Sequence, residues 1–230
     1  MAKPVLTIVI PTLNEEAGIG HSITVIPRSE LSRTYDLEVL IVDSQSKDRT
    51  AEIARSLGAR VITEPRRGYG RAYKTGFDEA KGGILVSLDG DATYPASDIP
   101  SLVEIIRKGD ADFITTNRFA SMARGSMTPM NRIGNLVLTL FAGALFLMPI
   151  QDSQSGMWVL TKASWTRLRG KVKGDGMDFS QEIKIEAWRS GLKCREMPIH
   201  YAARAGKAKL NPLRDGIRNL LCLFKKRIRA

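Results

Sequence analysis

Short apolar, β-branched runs alternate with helix-period stretches through the first half of the chain. Val5–Ile10, Glu38–Val42, Arg60–Thr63, Ile84–Leu88 and Asp112–Thr116 read as five strands. Between them the pattern predicts helices from Glu15 to about Leu31 and over Asp48–Leu57, Arg71–Ala80 and Asp98–Arg107. Ala51, Ile53, Ala54 and Leu57 supply an apolar face to the second of these. Near-continuous apolar strands joined by helical crossovers predict an α/β protein with a mainly parallel central sheet and helices on both faces.

The second half is less regular. Ser121–Met130 is rich in small and flexible residues and reads as a mobile loop. Leu136–Ile150 is almost wholly apolar yet shorter than the roughly 20 residues a spanning helix needs, which leaves a buried helix as the first reading and lipid contact as the second. Phe179–Arg189 is helical by pattern and Cys194–Ile199 is a late strand. Near the end, Leu213, Ile217, Leu220, Leu221, Phe224 and Ile228 fall at helical spacing, flanked by Arg214, Arg218, Lys225, Lys226, Arg227 and Arg229. Such a helix can lie in a membrane interface, or dock on the body with a solvated basic face. The division expected is therefore a main folded domain over 1–210 and a basic amphipathic helix over 211–230.

Composition narrows the class. With 230 residues, 43% of them hydrophobic and 26% charged, the chain can bury a core without covalent staples. Cys194 and Cys222 are too few for a disulfide framework and read as core or interface residues. His21 and His200 have no metal-ligand spacing. The N-terminal residues run directly into a strand pattern, so the expectation is a cytoplasmic protein, soluble or peripheral. The net charge is +11, and Arg204–Ala230 holds nine basic residues against one acid, Asp215. A polyanion is the natural partner of that end. Nucleic acid is the weaker candidate, because zinc-finger spacing and RNA-binding aromatic motifs are missing and the acidic residues below would go unexplained.

The chemistry concentrates where strands end. Asp89-Gly90-Asp91 leaves the fourth strand, and in an open α/β sheet ligands sit beyond the carboxyl ends of strands. Paired carboxylates there can hold a divalent cation that also takes diphosphate oxygens. Pro11-Thr12-Leu13-Asn14-Glu15 and Asp43-Ser44-Gln45-Ser46 follow the first two strands on the same edge, which points to a nucleotide lying across it. Asp48 reads as a helix-start residue, with Glu52 in the first turn. Gly68-Tyr69-Gly70-Arg71-Ala72 lacks the third glycine of a dinucleotide fingerprint and reads as a flexible turn entering a helix.

Taken in order, Pro-Thr-x-Asn-Glu, Val42-Asp43-Ser44 with its following Ser46, Asp48 and Thr50, Arg67-Gly68-x-Gly70-x-Ala72, and Asp89-Gly90-Asp91-Ala92-Thr93-Tyr94-Pro95 resemble the family 2 glycosyltransferases of GT-A fold. Asn117-Arg118-Phe119, Asn131-Arg132-Ile133-Gly134-Asn135, Asp152-Ser153-Gln154-Ser155-Gly156 and Arg204-x-Gly206-x-Ala208-Lys209-Leu210 extend the likeness along nearly the whole chain. Within that family it is most similar to the polyprenyl-phosphate sugar transferases of the dolichol-phosphate mannose synthase type.

The resemblance implies a Rossmann-like GT-A sheet and an inverting, metal-dependent transfer of a hexose from a nucleotide diphosphate sugar, of GDP-mannose or UDP-glucose type, to a polyprenyl phosphate. It puts Pro11, Leu13, Glu15, Asp43 and Ser44 on the nucleotide, Asp89 and Asp91 on Mg²⁺ or Mn²⁺, and Gly90 against the nucleotide. Arg118 matches an arginine near the diphosphate and sugar, Arg132 and Arg204 arginines for the acceptor phosphate, and Lys209 a lysine on the phosphates. Thr93 stands where mannose synthases often carry Gln, and Ser44 where they often carry a second Asp. A phosphate acceptor is already anionic near pH 7 and needs no general base, whereas a hydroxyl acceptor does. Asp175, Asp178 and Glu182 remain available as such bases, so a sugar-hydroxyl acceptor is the alternative. Many members of this type carry C-terminal spanning helices; the expectation for this chain is a peripheral enzyme at the cytoplasmic face of a membrane, assisted by a membrane partner subunit or by homo-oligomer formation.

Overall fold

A computed structural model describes residues 2–203 and 212–228, the latter without the side chains of 212–214. Seven strands form one sheet: β1 (Val5–Thr12), β2 (Asp36–Asp43), β3 (Arg60–Thr63), β4 (Ile84–Ser87), β5 (Phe113–Met122), β6 (Trp158–Thr161) and β7 (Cys194–Tyr201), in the order β3-β2-β1-β4-β6-β5-β7. All neighbours pair parallel except at β6, which runs antiparallel to both β4 and β5. The mainly parallel α/β sheet expected from the strand pattern is thus present. Reversal of one strand keeps the carboxyl ends of β1, β2, β4 and β5 on a single edge and brings the segment entering β6 to that same edge.

Period-2 alternation divides the strand residues between two cores. Ile8, Ile10, Val39, Ile41 and Val86 face one side and pack with α1 (Glu16–Thr24) and α5 (Ile99–Arg107), chiefly through Ile19, Ile23, Leu102, Val103 and Ile106. Val9, Leu40, Val42 and Leu85 face the other side, against Tyr73 and Phe77 of α4 (Tyr69–Glu79), Trp165 of α7 (Lys162–Leu168), and Phe179 and Ile183 of α8 (Phe179–Arg189). Short helices α2 (Arg28–Leu31) and α3 (Thr50–Ser56) complete the first half. The helix expected from Glu15 to Leu31 is two, because Pro27 disfavours helical geometry at Ile26 and restarts the chain as α2.

The other departures lie in the second half. Strand β5 continues to Met122, with a register shift against β7 between Asn117 and Ser121, and α6 (Pro129–Phe146) begins at a Thr128 cap. The loop expected over Ser121–Met130 shrinks to 123–128. The expectation of a buried helix over Leu136–Ile150 is corrected as well. Within α6 only Leu138, Thr139, Ala142 and Phe146 are buried, while Met130, Ile133, Leu136, Val137, Leu140 and Phe141 are exposed. Helix α9 (Pro212–Ile228) docks on α6 and α8. Leu223 joins the cluster of Leu138, Ala142, Phe146 and Ile185, Arg218 pairs with Asp178 at 3.1 Å, and Lys226 reaches Glu182 at 2.6 Å and Glu186 at 2.9 Å. Its Ile217, Leu221, Phe224 and Ile228 stay exposed. No helix among the described residues is long and apolar enough to cross a membrane.

Candidate active site

The loops after β1 and β2 are laced together. Thr12 and Asp43 are register partners, and the Thr12 hydroxyl donates to Asp43 Oδ1 at 3.1 Å. Asp43, buried, also accepts from the Ser46 amide at 2.9 Å and from the Ser46 hydroxyl. The amides of Asn14 and Lys47 bond to Ser46 Oγ and Asn14 Oδ1, each at 2.8 Å, and the Glu15 amide donates to Thr50 Oγ1 at 2.8 Å. Asp48, expected as the N-cap, stands one residue earlier, because Arg49 occupies the N-cap position of α3; its carboxylate accepts from the Thr50 amide and hydroxyl and from the Glu16 amide at 3.1 Å. Pro11 and Asp43 at the strand ends and Leu13, Glu15 and Ser44 in the loops after them therefore stand on one hydrogen-bonded unit.

Backbone strain collects there too. Among the described residues four non-glycine positions have left-handed φ, and three of them, Asn14, Gln45 and Ala92, lie in the loops after β1, β2 and β4. Such conformations persist where the surroundings over-determine them, and they cluster at functional sites.

Beyond β4 the two acidic residues are held by different neighbours. Asp89, half-buried, accepts on Oδ1 from Tyr73 OH at 3.0 Å and Tyr69 OH at 3.2 Å, two phenols one turn apart on α4. Burial, and then the Asp89 charge, push both phenols well above their ordinary pKa, so they stay protonated and donate. Asp91 accepts on Oδ1 from the Thr93 hydroxyl at 2.7 Å and the Thr93 amide at 3.1 Å. Thr93, which stands where mannose synthases often carry Gln, is buried and orients Asp91. Gly90 backs onto Thr12 and Glu15, and α1 comes so close that a Cβ on Gly18 would lie 2.7 Å from the Gly90 carbonyl oxygen.

Gly156 closes the far side. A Cβ there would lie 3.4 Å from Asp89 Oδ2 and 3.3 Å from Tyr94 OH. Its amide donates to Tyr94 OH at 2.6 Å, and its carbonyl accepts from Ser87 Oγ at 2.9 Å. Four residues earlier, Asp152 grips Arg118. The Arg118 Nε and Nη2 donate to its two carboxylate oxygens at 2.7 and 2.9 Å, and the Arg118 amide adds a third bond at 3.0 Å. Both residues are buried, and the guanidinium lies 5.4 Å from the Tyr201 ring centroid. Burial disfavours both charges, but each stabilises the other. Asp152 is held below the usual carboxylate range and Arg118 well above its own.

Of the remaining candidates, Arg132 stands exposed on the first turn of α6, while Arg204 and Lys209 lie outside the described residues. The alternative bases are taken up by ion pairs. Asp175 pairs with Arg71 at 2.8 Å and with Lys74, and these cations outweigh its partial burial and lower its pKa, the wrong direction for a base near neutrality. Glu182, buried, accepts from the amides of Lys173 and Gly174 and from Lys226. The Gly68–Gly70 turn is tied down as well, with the Gly70 and Arg71 amides donating to the carbonyls of Gly176 and Asp175 at 3.2 and 3.1 Å. Burial pushes both cysteine thiols up to about 12, and His21 and His200 are exposed.

Tyr69, Tyr73, Tyr94 and Thr93 went unassigned at the level of sequence. The tyrosine pair had a signal, since positions 69 and 73 share a helix face. The Asp152–Arg118 pair had none, because the residues are 34 apart and meet only across β5 and β6.

A divalent cation fits the donor set only in a limited way. Among the described residues no group of three or more His, Cys, Asp or Glu side chains could hold a metal. Asp89 and Asp91 are hard oxygen donors, suited to an ion such as Mg²⁺ or Mn²⁺ that fills its shell with water and ligand phosphate oxygens.

Comparison with known proteins agrees with this geometry. Residues 7–163 match the family model described as Glycosyl transferase family 2. A low-salt glycan biosynthesis hexosyltransferase, Agl6, of Haloferax volcanii is 36% identical over 219 residues, 94% of this chain; the chain spans about half, 52%, of that relative's length. A dolichyl-phosphate hexose transferase of the same organism is 34% identical over 216 residues, covering 92% of this chain and 89% of the relative. The structure of glucosyl-3-phosphoglycerate synthase from Mycobacterium tuberculosis, in complex with Mn²⁺, UDP and glucosyl-3-phosphoglycerate, superposes with a TM-score of 0.77 over 97% of this chain and 80% of that one at 24% identity, which shows that the fold is GT-A.

Proposed function

The chain belongs to glycosyl transferase family 2, and from that premise we propose that it moves a hexose from a nucleotide diphosphate sugar to a polyprenyl phosphate, with inversion at the anomeric carbon. The observation that carries the reading is the Asp89-Gly90-Asp91 turn, braced by Tyr69, Tyr73 and Thr93, beside the double loop of residues 11–15 and 43–46. That juxtaposition offers a nucleotide cradle and an acidic pair for its diphosphate. The relative named as a dolichyl-phosphate hexose transferase supports the lipid acceptor.

In this reading Pro11, Leu13, Glu15, Asp43 and Ser44 bind the nucleoside, with Gly90 allowing its close approach. Asp89 and Asp91 hold Mg²⁺ or Mn²⁺, which when bound neutralises charge on the departing diphosphate. Arg118, its charge matched by the bidentate Asp152 carboxylate, is held in place on the side assigned to the diphosphate and sugar. Arg132, with Arg204 and Lys209, draws in the acceptor phosphate, which is already ionised at neutral pH. One acceptor oxygen forms a bond to the anomeric carbon as the bond to the nucleoside diphosphate breaks, and the nucleoside diphosphate leaves with the electron pair. No proton has to be removed from the nucleophile.

A lipid substrate requires access to a membrane. The exposed apolar positions of α6 and α9 form the chain's main uncovered apolar surface among the described residues, and Arg132, Lys225 and Arg227 stand exposed on the same two helices. Apolar side chains with flanking cations match an anionic bilayer interface. We assign this face to peripheral contact with the cytoplasmic side of a membrane.

The test is to offer radiolabelled UDP-glucose, GDP-mannose and other donors to the protein with a polyprenyl phosphate, with and without chelator. Label should enter the organic extract only when divalent cation is present. Label appearing instead in a water-soluble product would overturn the lipid acceptor and favour the sugar-hydroxyl alternative.

A further inference from the structure

We propose that Lys184 is a positioning residue for this site, its buried ammonium gathering the carbonyls of the loop from Asp152 to Gly156 and so setting where Asp152 meets Arg118 and where Gly156 lies against Asp89. The inference rests on the nucleotide-sugar reading above.

Lys184 lies in the middle of α8, 2% exposed, among the buried apolar side chains of Phe179, Ile183, Ile185 and Ala187 and the buried polar ones of Ser180, Gln181, Glu182 and Glu186. Its Nζ donates to the carbonyl oxygens of Ser155 at 2.6 Å, Ser153 at 2.8 Å and Asp152 at 3.4 Å, so three N–H groups meet three acceptors. An ammonium in such a place is costly, and burial pushes its pKa down to about 7. A leucine or methionine would fill the volume without that cost, so packing alone gives no reason for the charge.

The loop it gathers is the one that joins both halves of the site. Asp152 carries Arg118 at one end of it. At the other, Gly156 abuts Asp89, and Ser155 Oγ bonds Thr116 Oγ1 at 2.6 Å on the strand leading to Arg118. Trp158 Nε1 and Ser180 Oγ share the Ser155 carbonyl with the lysine, at 3.0 and 2.9 Å, which leaves that carbonyl little freedom. Released from the cation, three buried carbonyls would turn to find other donors, and the carboxylate of Asp152 and the backbone of Gly156 would turn with them.

Lys162 supplies an internal contrast. Its Nζ likewise meets three carbonyls, those of Phe77, Asp78 and Ala80 at 2.6, 2.9 and 3.0 Å, but these cap the end of α4 at the opposite edge of the sheet. The same chemistry there serves the fold alone.

The experiment titrates UDP and GDP, each with Mn²⁺, into the intact protein, Lys184→Met and Lys162→Met by calorimetry, alongside thermal melts. Both variants should melt below the wild type. At a temperature where all are folded, Lys162→Met should bind the Mn²⁺ nucleotide as the wild type does, and Lys184→Met about 10–100-fold more weakly, the range found for residues that orient a metal site from behind. Should Lys184→Met not melt cooperatively, Lys184→Gln, which keeps two donors and removes the charge, should show a smaller loss of the same kind. Undiminished binding by the folded Lys184 variant, or an equal loss in Lys162→Met, overturns the proposal. A wild type that binds neither nucleotide overturns the transferase reading first.

Discussion

Asp91 shows how much a single side chain is asked to do in this site. It is 4% exposed, and the hydroxyl and amide of Thr93, two residues on, both point at one of its carboxylate oxygens. Asp91→Asn retains the shape and loses the charge, so nucleotide-sugar turnover should fall at least about 100-fold while the melting curve changes little. Near-normal turnover in that variant would remove Asp91 from the chemistry. Gly156 works by what it lacks. Adding a methyl group there presses on Tyr69 OH, Tyr94 OH and Asp89 Oδ2 together. Gly156→Ala should lower stability by about 1–3 kcal/mol, as overpacking does, and weaken Mn²⁺-dependent nucleotide binding; wild-type values for both would mean the turn can move aside.

At the scale of elements, α6 and α9 show how an almost wholly apolar stretch comes to be exposed. Leu136–Ile150 reads as buried because a nearly continuous apolar run has no polar face to put in water. The helix instead spends one narrow stripe on α8 and α9 and exposes the rest. If that face meets lipid, Leu140→Glu, at a position 72% exposed, should change stability by less than about 0.5 kcal/mol. Co-sedimentation with anionic liposomes should drop about tenfold or more, since one fewer leucine enters the acyl boundary and a repelled charge replaces it. Unchanged sedimentation would mean that the face has some other partner. The docking of α9 through Arg218–Asp178 and Lys226–Glu182 also accounts for two of the carboxylates that looked like bases: they hold a helix in place.

For the molecule as a whole, the carboxyl edge of the sheet, where the helices start, is stabilised by a charge that matters in acid. Glu64, 1% exposed just after β3, is held at a pKa of about 2, first by Arg66 and then, against its burial, by Thr75. Its ordinary value is 4.5, so the stabilisation is complete above that pH and disappears as pH falls from 4.5 towards 2. The contribution is on the order of 2–3 kcal/mol. Urea melts of wild type and Glu64→Gln should therefore differ most near neutrality and converge near pH 2. A gap that stays constant with pH would show that the carboxylate's charge contributes nothing.

The strand–helix alternation, the parallel sheet and the acidic pair beyond β4 were all legible in the sequence, because period-2 and period-3.6 patterns and an Asp-Gly-Asp turn are local facts. The likeness to family 2 glycosyltransferases was legible for the same reason, as a string of short motifs in order. Tertiary structure alone decided what holds each motif. Tyr69 and Tyr73 reach Asp89 across 20 and 16 residues, Asp152 reaches Arg118 across 34, and Lys184 reaches Ser155 across 29. The reversed strand β6 brings the 152–156 loop of the last two pairs to the edge where Asp89 lies, and its four residues carry too short a pattern to announce it. Local periodicity specifies which face of an element is apolar; which distant polar group then satisfies a buried charge depends on strand order, and that is set only when the whole sheet assembles.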